Sequence, residues 1–199
     1  MEEIKTNEVE ANIAMTPEEK IKDAEVTEVV ESIVDQEIKK LKATYPILEK
    51  IVLPHNKKSR LATEEDVENI VKLSQTLYEI CTVGAYAMHH SQIESEDPIS
   101  FFVTKERKII INPKIIRHSN YFADSNEGCM SFLLKDRVVV PRWQKMVVKY
   151  QTIMTDPENE GKFKLSSVIQ EDLSGKDAHV AQHEIDHGEA KFIYPVINI

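Results

Sequence analysis

Two cysteines in 199 residues, Cys81 and Cys129, exclude a disulfide-stapled scaffold. A free thiol kept for chemistry points instead to a reducing compartment. No apolar run approaches the roughly 20 residues needed to cross a bilayer. The N-terminus lacks the apolar stretch of a signal peptide and the arginine content of a transit peptide, so a cytoplasmic location away from membranes is expected. Internal repeats and low-complexity segments are missing too. Positive charge is scarce: 25 Lys+Arg stand against 34 Asp+Glu, a net charge of −9. Residues 1–40 alone hold 12 acidic and 5 basic side chains, so 7 of the 9 net negative charges fall there. That distribution argues against a nucleic-acid-binding tail. Apolar residues, by contrast, make up 41% of the chain, enough for one domain with a proper core and an appendage.

The most informative stretch is His183-Glu184-Ile185-Asp186-His187, preceded by Gln182. On a helix, residues four apart lie one turn above each other. The two imidazoles then face the same way and can share one metal ion, with Glu184 beside them to accept a proton from water. The plain alternative is an exposed charged helix carrying two histidines at this spacing by chance. A metzincin-type third ligand would fall six residues after His187, where the chain has Ile193. Glu189 is turned to another face, so the third ligand is expected upstream. His179 lies on the same face as His183, but eight residues before His187, about 12 Å of helix axis. Bonds of about 2 Å cannot span that, so His179 is expected to line the cavity facing the metal. Cys129 in Glu127-Gly128-Cys129-Met130-Ser131 is the better candidate. A thiolate with two imidazoles leaves one position open, as a catalytic site requires, and Gly128 permits close backbone approach. The competing reading is a buried free cysteine.

These two motifs together resemble those of peptide deformylases. Glu127 to Ser131 is similar to the family's second motif, with Met130 for the usual leucine, and Gln182 to His187 to its third. Ile111-Asn112-Pro113 and Val140-Pro141-Arg142 resemble flanking segments, and the likeness covers roughly residues 45–199. The first motif departs from G-x-G-x-A-A-x-Q: Ala85-Tyr86-Ala87-Met88-His89-His90-Ser91-Gln92 keeps only the glutamine. Phe132-Leu133-Leu134 stands where a proline often follows, and Gly188 where a hydrophobic residue usually does. The resemblance implies Cys129, His183 and His187 as ligands of one divalent ion, Fe²⁺ by family habit, with Zn²⁺, Ni²⁺ or Co²⁺ able to substitute. It also implies Glu184 as acid–base, and the Gln92 amide with the Met130 N–H as oxyanion donors. Tyr86, Ala87, Glu127, Gly128 and His179 would lie along the substrate. The implied reaction removes the formyl group from N-formylated nascent peptides at the ribosome, releasing formate. A deformylase-derived binding module without turnover is the alternative. Two turns and one turn before His183 stand Lys176 and His179, more polar than a thioether prefers, so the pocket is expected to be altered. His89 and His90, on a strand, are expected to face opposite ways.

The fold class expected is α+β: antiparallel sheets around a central metal-binding helix, with an acidic N-terminal helical extension. Residues 1–15 read as frayed, 16–43 as the extension and 45–199 as the catalytic domain. Thr16-Pro17-Glu18-Glu19 would start the extension, and Val26, Val29, Val30, Ile33, Ile38 and Leu41 would form its stripe. Thr63-Glu64-Glu65-Asp66 starts a second helix, ending before Gly84. Strands are expected over 99–103, 108–111 and 146–154, with a hairpin to 162–170. Ala123-Asp124-Ser125-Asn126 reads as a turn, Ser174 with Asp177 as the cap of the metal helix (175–190), and residues 192–199 as a last strand.

Overall fold

The computed structural model describes residues 32–194. The expected cap at Thr16 and the first valines of the extension lie outside them. Two compact units divide the chain, Met1–Lys40 and Leu41–Ile199. Residues 32–44 are helical (α1), and Ile33 and Val34 stand exposed.

The second unit enters through a 3-10 turn, Pro46–Lys50, which buries Leu48 completely. A further 3-10 turn, Glu64–Asp66, leads into helix α2, Val67–Val83. Its start is capped as the sequence suggests: the Asp66 carboxylate accepts from the Thr63 N–H at 2.8 Å. The same carboxylate takes both ends of the Arg60 guanidinium at 2.7 Å. Val67, Ile70, Leu77, Ile80 and Cys81 are buried. Gly84, at φ 146°, ends the helix in a conformation closed to most side chains. Asp66→Asn should lower stability by about 1–3 kcal/mol. The Arg60 guanidinium holds the Asp66 carboxyl well below the usual range. Its contribution is therefore complete above the ordinary carboxylate pKa of about 3.9 and fades as pH falls further. Urea unfolding of both proteins should show a gap at pH 7 that narrows towards pH 2.

Five antiparallel strands form the main sheet, in the order β1 (Ala87–His89), β2 (Phe101–Thr104), β3 (Ile109–His118), β6 (Lys145–Gln151), β9 (Ile169–Ser174). Alternation along the strands serves two cores. Met88, Phe101, Val103 and Ile111 pack with α2. Ala87, Phe102, Ile110, Met146 and Val148 pack with Ala178 and Ala181 of helix α3, Gly175–Gly188. β1 is an edge strand, and its outer side has no strand partner among the described residues. Two strand pairs complete the unit: β4 (Phe122–Glu127) with β5 (Val138–Trp143), and β7 (Ile153–Thr155) with β8 (Phe163–Leu165), the latter the expected hairpin. This is the expected α+β architecture. No helix of the described residues is long and apolar enough to cross a membrane.

Four local expectations are corrected. Residues 123–126 form strand β4 rather than a turn: Asp124 and Ser125 pair with Pro141 and Val140 of β5, whose valines supply the strand tendency that β4 lacks. His89 and His90 are both buried, because β1 stops at His89 and a 3-10 turn, His90–Gln92, breaks the alternation. Ser174 precedes α3 but makes no side-chain cap; it is the last ladder residue of β9, opposite Lys145, and Gly175 at φ 56° turns the chain into the helix. Residues 192–194 are not strand; residues 195–199 lie outside the described part.

Candidate active site

Helix α3 places His183 and His187 one turn apart, with their Nε2 atoms at 3.1 Å. Cys129 sits where β4 ends and a 3-10 turn, Met130–Phe132, begins. That break in the strand swings its Sγ to 3.3 Å from His187 Nε2. The three donor atoms lie within 4.8 Å of one another. A tetrahedral ion with ordinary bond lengths would hold such nitrogens about 3.3 Å apart and sulfur about 3.6 Å from each, so the cluster fits one ion with little adjustment. His183 Nδ1 meets Glu127 Oε2 at 2.8 Å, which fixes the ring and turns Nε2 to the centre. Glu127 is in turn gripped by Arg142 through two 2.8 Å hydrogen bonds, and Arg142 also reaches Asp186. Burial alone would raise the Glu127 pKa, but Arg142 and His183 outweigh it and hold it at about 2. Burial likewise works against charge on His183, yet hydrogen bonds with Cys129 and Glu127 prevail and push it up to about 10. A ring so shifted holds a proton that an ion bound at Nε2 would displace. His187, pushed well below its usual range by burial, stays neutral as a ligand must.

Glu184, on the turn between the histidines, is buried, which pushes its pKa up to about 7 despite the nearby His183. One of its oxygens has no hydrogen-bond partner. Gln92 is held from behind: its amide oxygen accepts from the His89 N–H at 2.8 Å. Its NH₂ therefore points to Ser131 Oγ at 3.3 Å and the Cys129 sulfur at 3.7 Å. The amide cannot flip without losing the His89 bond.

A cavity of about 500 Å³ opens in front of this group, lined by Tyr86, Ala87, Gly128, Met130, Lys176 and His179 together with Gln92, Cys129, His183 and Glu184. Of the predicted site residues, all but His187 border this cavity, and His187 joins it through the three-donor cluster. Glu127 also borders it, but its carboxylate is taken by Arg142 and His183 and serves the ring rather than a peptide. Gly128 has an ordinary φ, and a Cβ there would touch only Arg137 at 3.6 Å, so space alone does not demand the glycine. Arg142, named in the sequence only within the Val140-Pro141-Arg142 segment, braces the site from behind; so does Asp186, whose carboxylate inside the histidine motif was the missed signal.

Two departures in the first and third motifs prove to be one. His89, fully buried, places Nε2 3.1 Å from where a Cβ on Gly188 would stand. The imidazole fills the space that a side chain at 188 would need. Its Nδ1 faces Ser91, with Oγ at 2.9 Å and the backbone N–H at 3.1 Å. We expect Gly188→Leu to destabilise the protein by about 1–3 kcal/mol through overpacking, and His89→Ala in the same chain to restore part of it. A thermodynamic cycle from chemical denaturation measures the coupling.

The model of the polypeptide deformylase family matches residues 41–198. Peptide deformylase 2 of Bacillus anthracis is 37% identical over 91 residues, 45% of this chain and 44% of that protein. Peptide deformylase of Rickettsia canadensis (strain McKiel) is 33% identical over 103 residues, 51% of each. The chain thus spans about half the length of the curated relatives it matches. Among solved structures, the peptide deformylase of Thermotoga maritima superposes with a TM-score of 0.56 at 26% identity, covering 75% of this chain and 90% of that one. The metal-type cluster, the buried glutamate and this matching model converge: the chain belongs to the polypeptide deformylase family.

Proposed function

We propose that this protein hydrolyses the N-formyl group of formylated peptides, giving formate and a free α-amino terminus. The observation that carries it is the convergence of Cys129, His183 and His187 around one point, with the Glu184 carboxylate and the Gln92 amide aimed at the same cavity. A divalent ion held by those three donors supplies a Lewis acid that brings the pKa of water towards neutrality. Fe²⁺ is the ion the family likeness suggests; the sulfur–nitrogen donor set also suits Zn²⁺, Co²⁺ and Ni²⁺.

The remaining chemistry belongs to the chain. Glu184, with a pKa near that of its task, accepts a proton from the attacking water. The water oxygen bonds to the formyl carbon, and negative charge gathers on the formyl oxygen. Gln92 donates to that oxygen from a fixed direction, and the Met130 N–H is its proposed companion. When the C–N bond breaks, Glu184 returns the proton to the departing amine. The substrate backbone adds beside β1, at Tyr86 and Ala87, where the sheet edge is open. Nascent chains at the ribosome in the cytoplasm are the substrates this implies. Residues 45–199 would carry the activity, with residues 16–43 as an appended extension.

Formate release from formyl-Met-Ala-Ser, anaerobically with Fe²⁺, Ni²⁺ or Co²⁺, tests the proposal. Metal-dependent release is expected; its absence with every ion, from this and other formyl-peptides, would leave a peptide-binding module as the better reading.

A further inference from the structure

We propose that Leu134 determines specificity downstream of the scissile group: it takes an apolar side chain at the second residue of a formyl-methionyl peptide. This rests on the deformylase reading above and names a further substrate feature that the same cavity selects.

Leu134 stands in a turn that does not suit it. The Lys135 N–H donates to the Phe132 carbonyl at 3.2 Å, closing four residues into a turn. Leu133 has φ −52° and ψ 136°, and Leu134 has φ 62°. These are the angles of a type II turn, whose third residue is ordinarily glycine or asparagine. A leucine there crowds its Cβ against its own backbone. The turn is imposed from both ends. Phe132 packs its ring against those of Phe192 and Tyr194, with centroids 6.2 and 4.8 Å away. Beyond the turn, the Tyr194 hydroxyl donates to the Asp136 carbonyl and Arg137 donates to that of Asn126. Burial does not offset the strain, because Leu134 is 52% exposed. The empty protein thus gains neither a relaxed backbone nor a covered side chain from this leucine. Strain held in place by its surroundings is characteristic of functional positions.

Leu134 borders the cavity in front of the three-donor cluster, and the apolar part of that wall falls into two halves. Val180 packs with the core on the α3 side of the sheet. Met88 and Met130 pack with the core on the α2 side. Successive side chains of an extended peptide point to opposite faces. A peptide added beside β1 with its first side chain towards α3 therefore turns its second to the α2 side. There Met130 opens the short 3-10 turn that runs through Phe132 into Leu133 and Leu134. An apolar second residue covers the exposed leucine. A polar one of equal size loses water there without gaining a partner.

The full-length, metal-loaded protein is assayed for formate release from formyl-Met-Leu-Ser, formyl-Met-Asn-Ser, formyl-Met-Ala-Ser and formyl-Met-Ala-Leu. We expect kcat/KM to be about fivefold higher for formyl-Met-Leu-Ser than for formyl-Met-Asn-Ser, which is what half-covering a leucine is worth. The gain should lie in KM, because the contact is remote from the reacting carbon. Leu134→Met should keep that ratio. Leu134→Gly and Leu134→Asn, both suited to the turn, should bring it close to one. Leu134→Asn should unfold at no lower urea concentration than the parent, since the strain leaves with the leucine. A parent ratio near one, a ratio unmoved by Leu134→Gly, faster turnover of formyl-Met-Ala-Leu than of formyl-Met-Leu-Ser, or a clear loss of stability in Leu134→Asn would overturn the inference while leaving deformylation standing. Absence of formate from all four peptides would instead remove the reading beneath it.

Discussion

Replacing Glu184 by glutamine should lower formate release by about 10³-fold, near the middle of what a positioned acid–base contributes. The substitution keeps shape and volume, so the helix and the three donors should stay as they are. Metal content by elemental analysis should match the parent protein, and KM should change little, because the loss falls on proton transfer rather than on binding. The carboxylate is buried, with a pKa raised to about 7. A glutamine there can neither take the proton of water nor hand one to the amine. A variant retaining activity within tenfold of the parent would remove Glu184 from the proposed role.

The second large effect concerns stability. Arg142→Leu should reduce it by about 3–5 kcal/mol, the usual outcome when one partner of a buried ion pair is removed. The side chain of Arg142 is 7% exposed and that of Glu127 is 8% exposed. With the guanidinium gone, Glu127 keeps only His183 and Asp186 loses its partner. Chemical denaturation reads the change directly. Glu127→Leu added to Arg142→Leu should recover part of the loss, since an apolar pair leaves no stranded charge. Metal affinity should fall about 10–100-fold in the single variant, because Glu127 would no longer hold the His183 ring in place. Equal stability of the Arg142→Leu protein would show that Glu127 and Asp186 find water instead.

Much of this site was readable from the chain because its chemistry is local. His183, Glu184 and His187 are set by helical period alone, and the Glu127–Ser131 string carries its own signature. The α2 boundaries were equally legible, since Thr63, Asp66 and Gly84 act through their immediate neighbours. What stayed hidden depends on distant partners. β4 is polar enough to pass for a turn, and only pairing with the valines of β5 makes it a strand. The burial of His90 follows from its Nδ1 accepting from the Ile99 N–H at 2.9 Å and its stacking on Phe101, neither visible locally. Glu127 read as a substrate neighbour because the sequence does not show Arg142 arriving from 15 residues away. The link between His89 and Gly188, 99 positions apart, needs coordinates altogether.

The short first strand has one more effect. An unpaired sheet edge is a template on which copies of a protein can stack. β1 is only three residues long, with all three side chains buried, and the Tyr86 ring beside it carries Lys105 and Lys176 above its face. Such a brief, cationic rim offers a second molecule too little ladder and too much repulsion to grow an aggregate. A guest peptide anchored at one end needs far less.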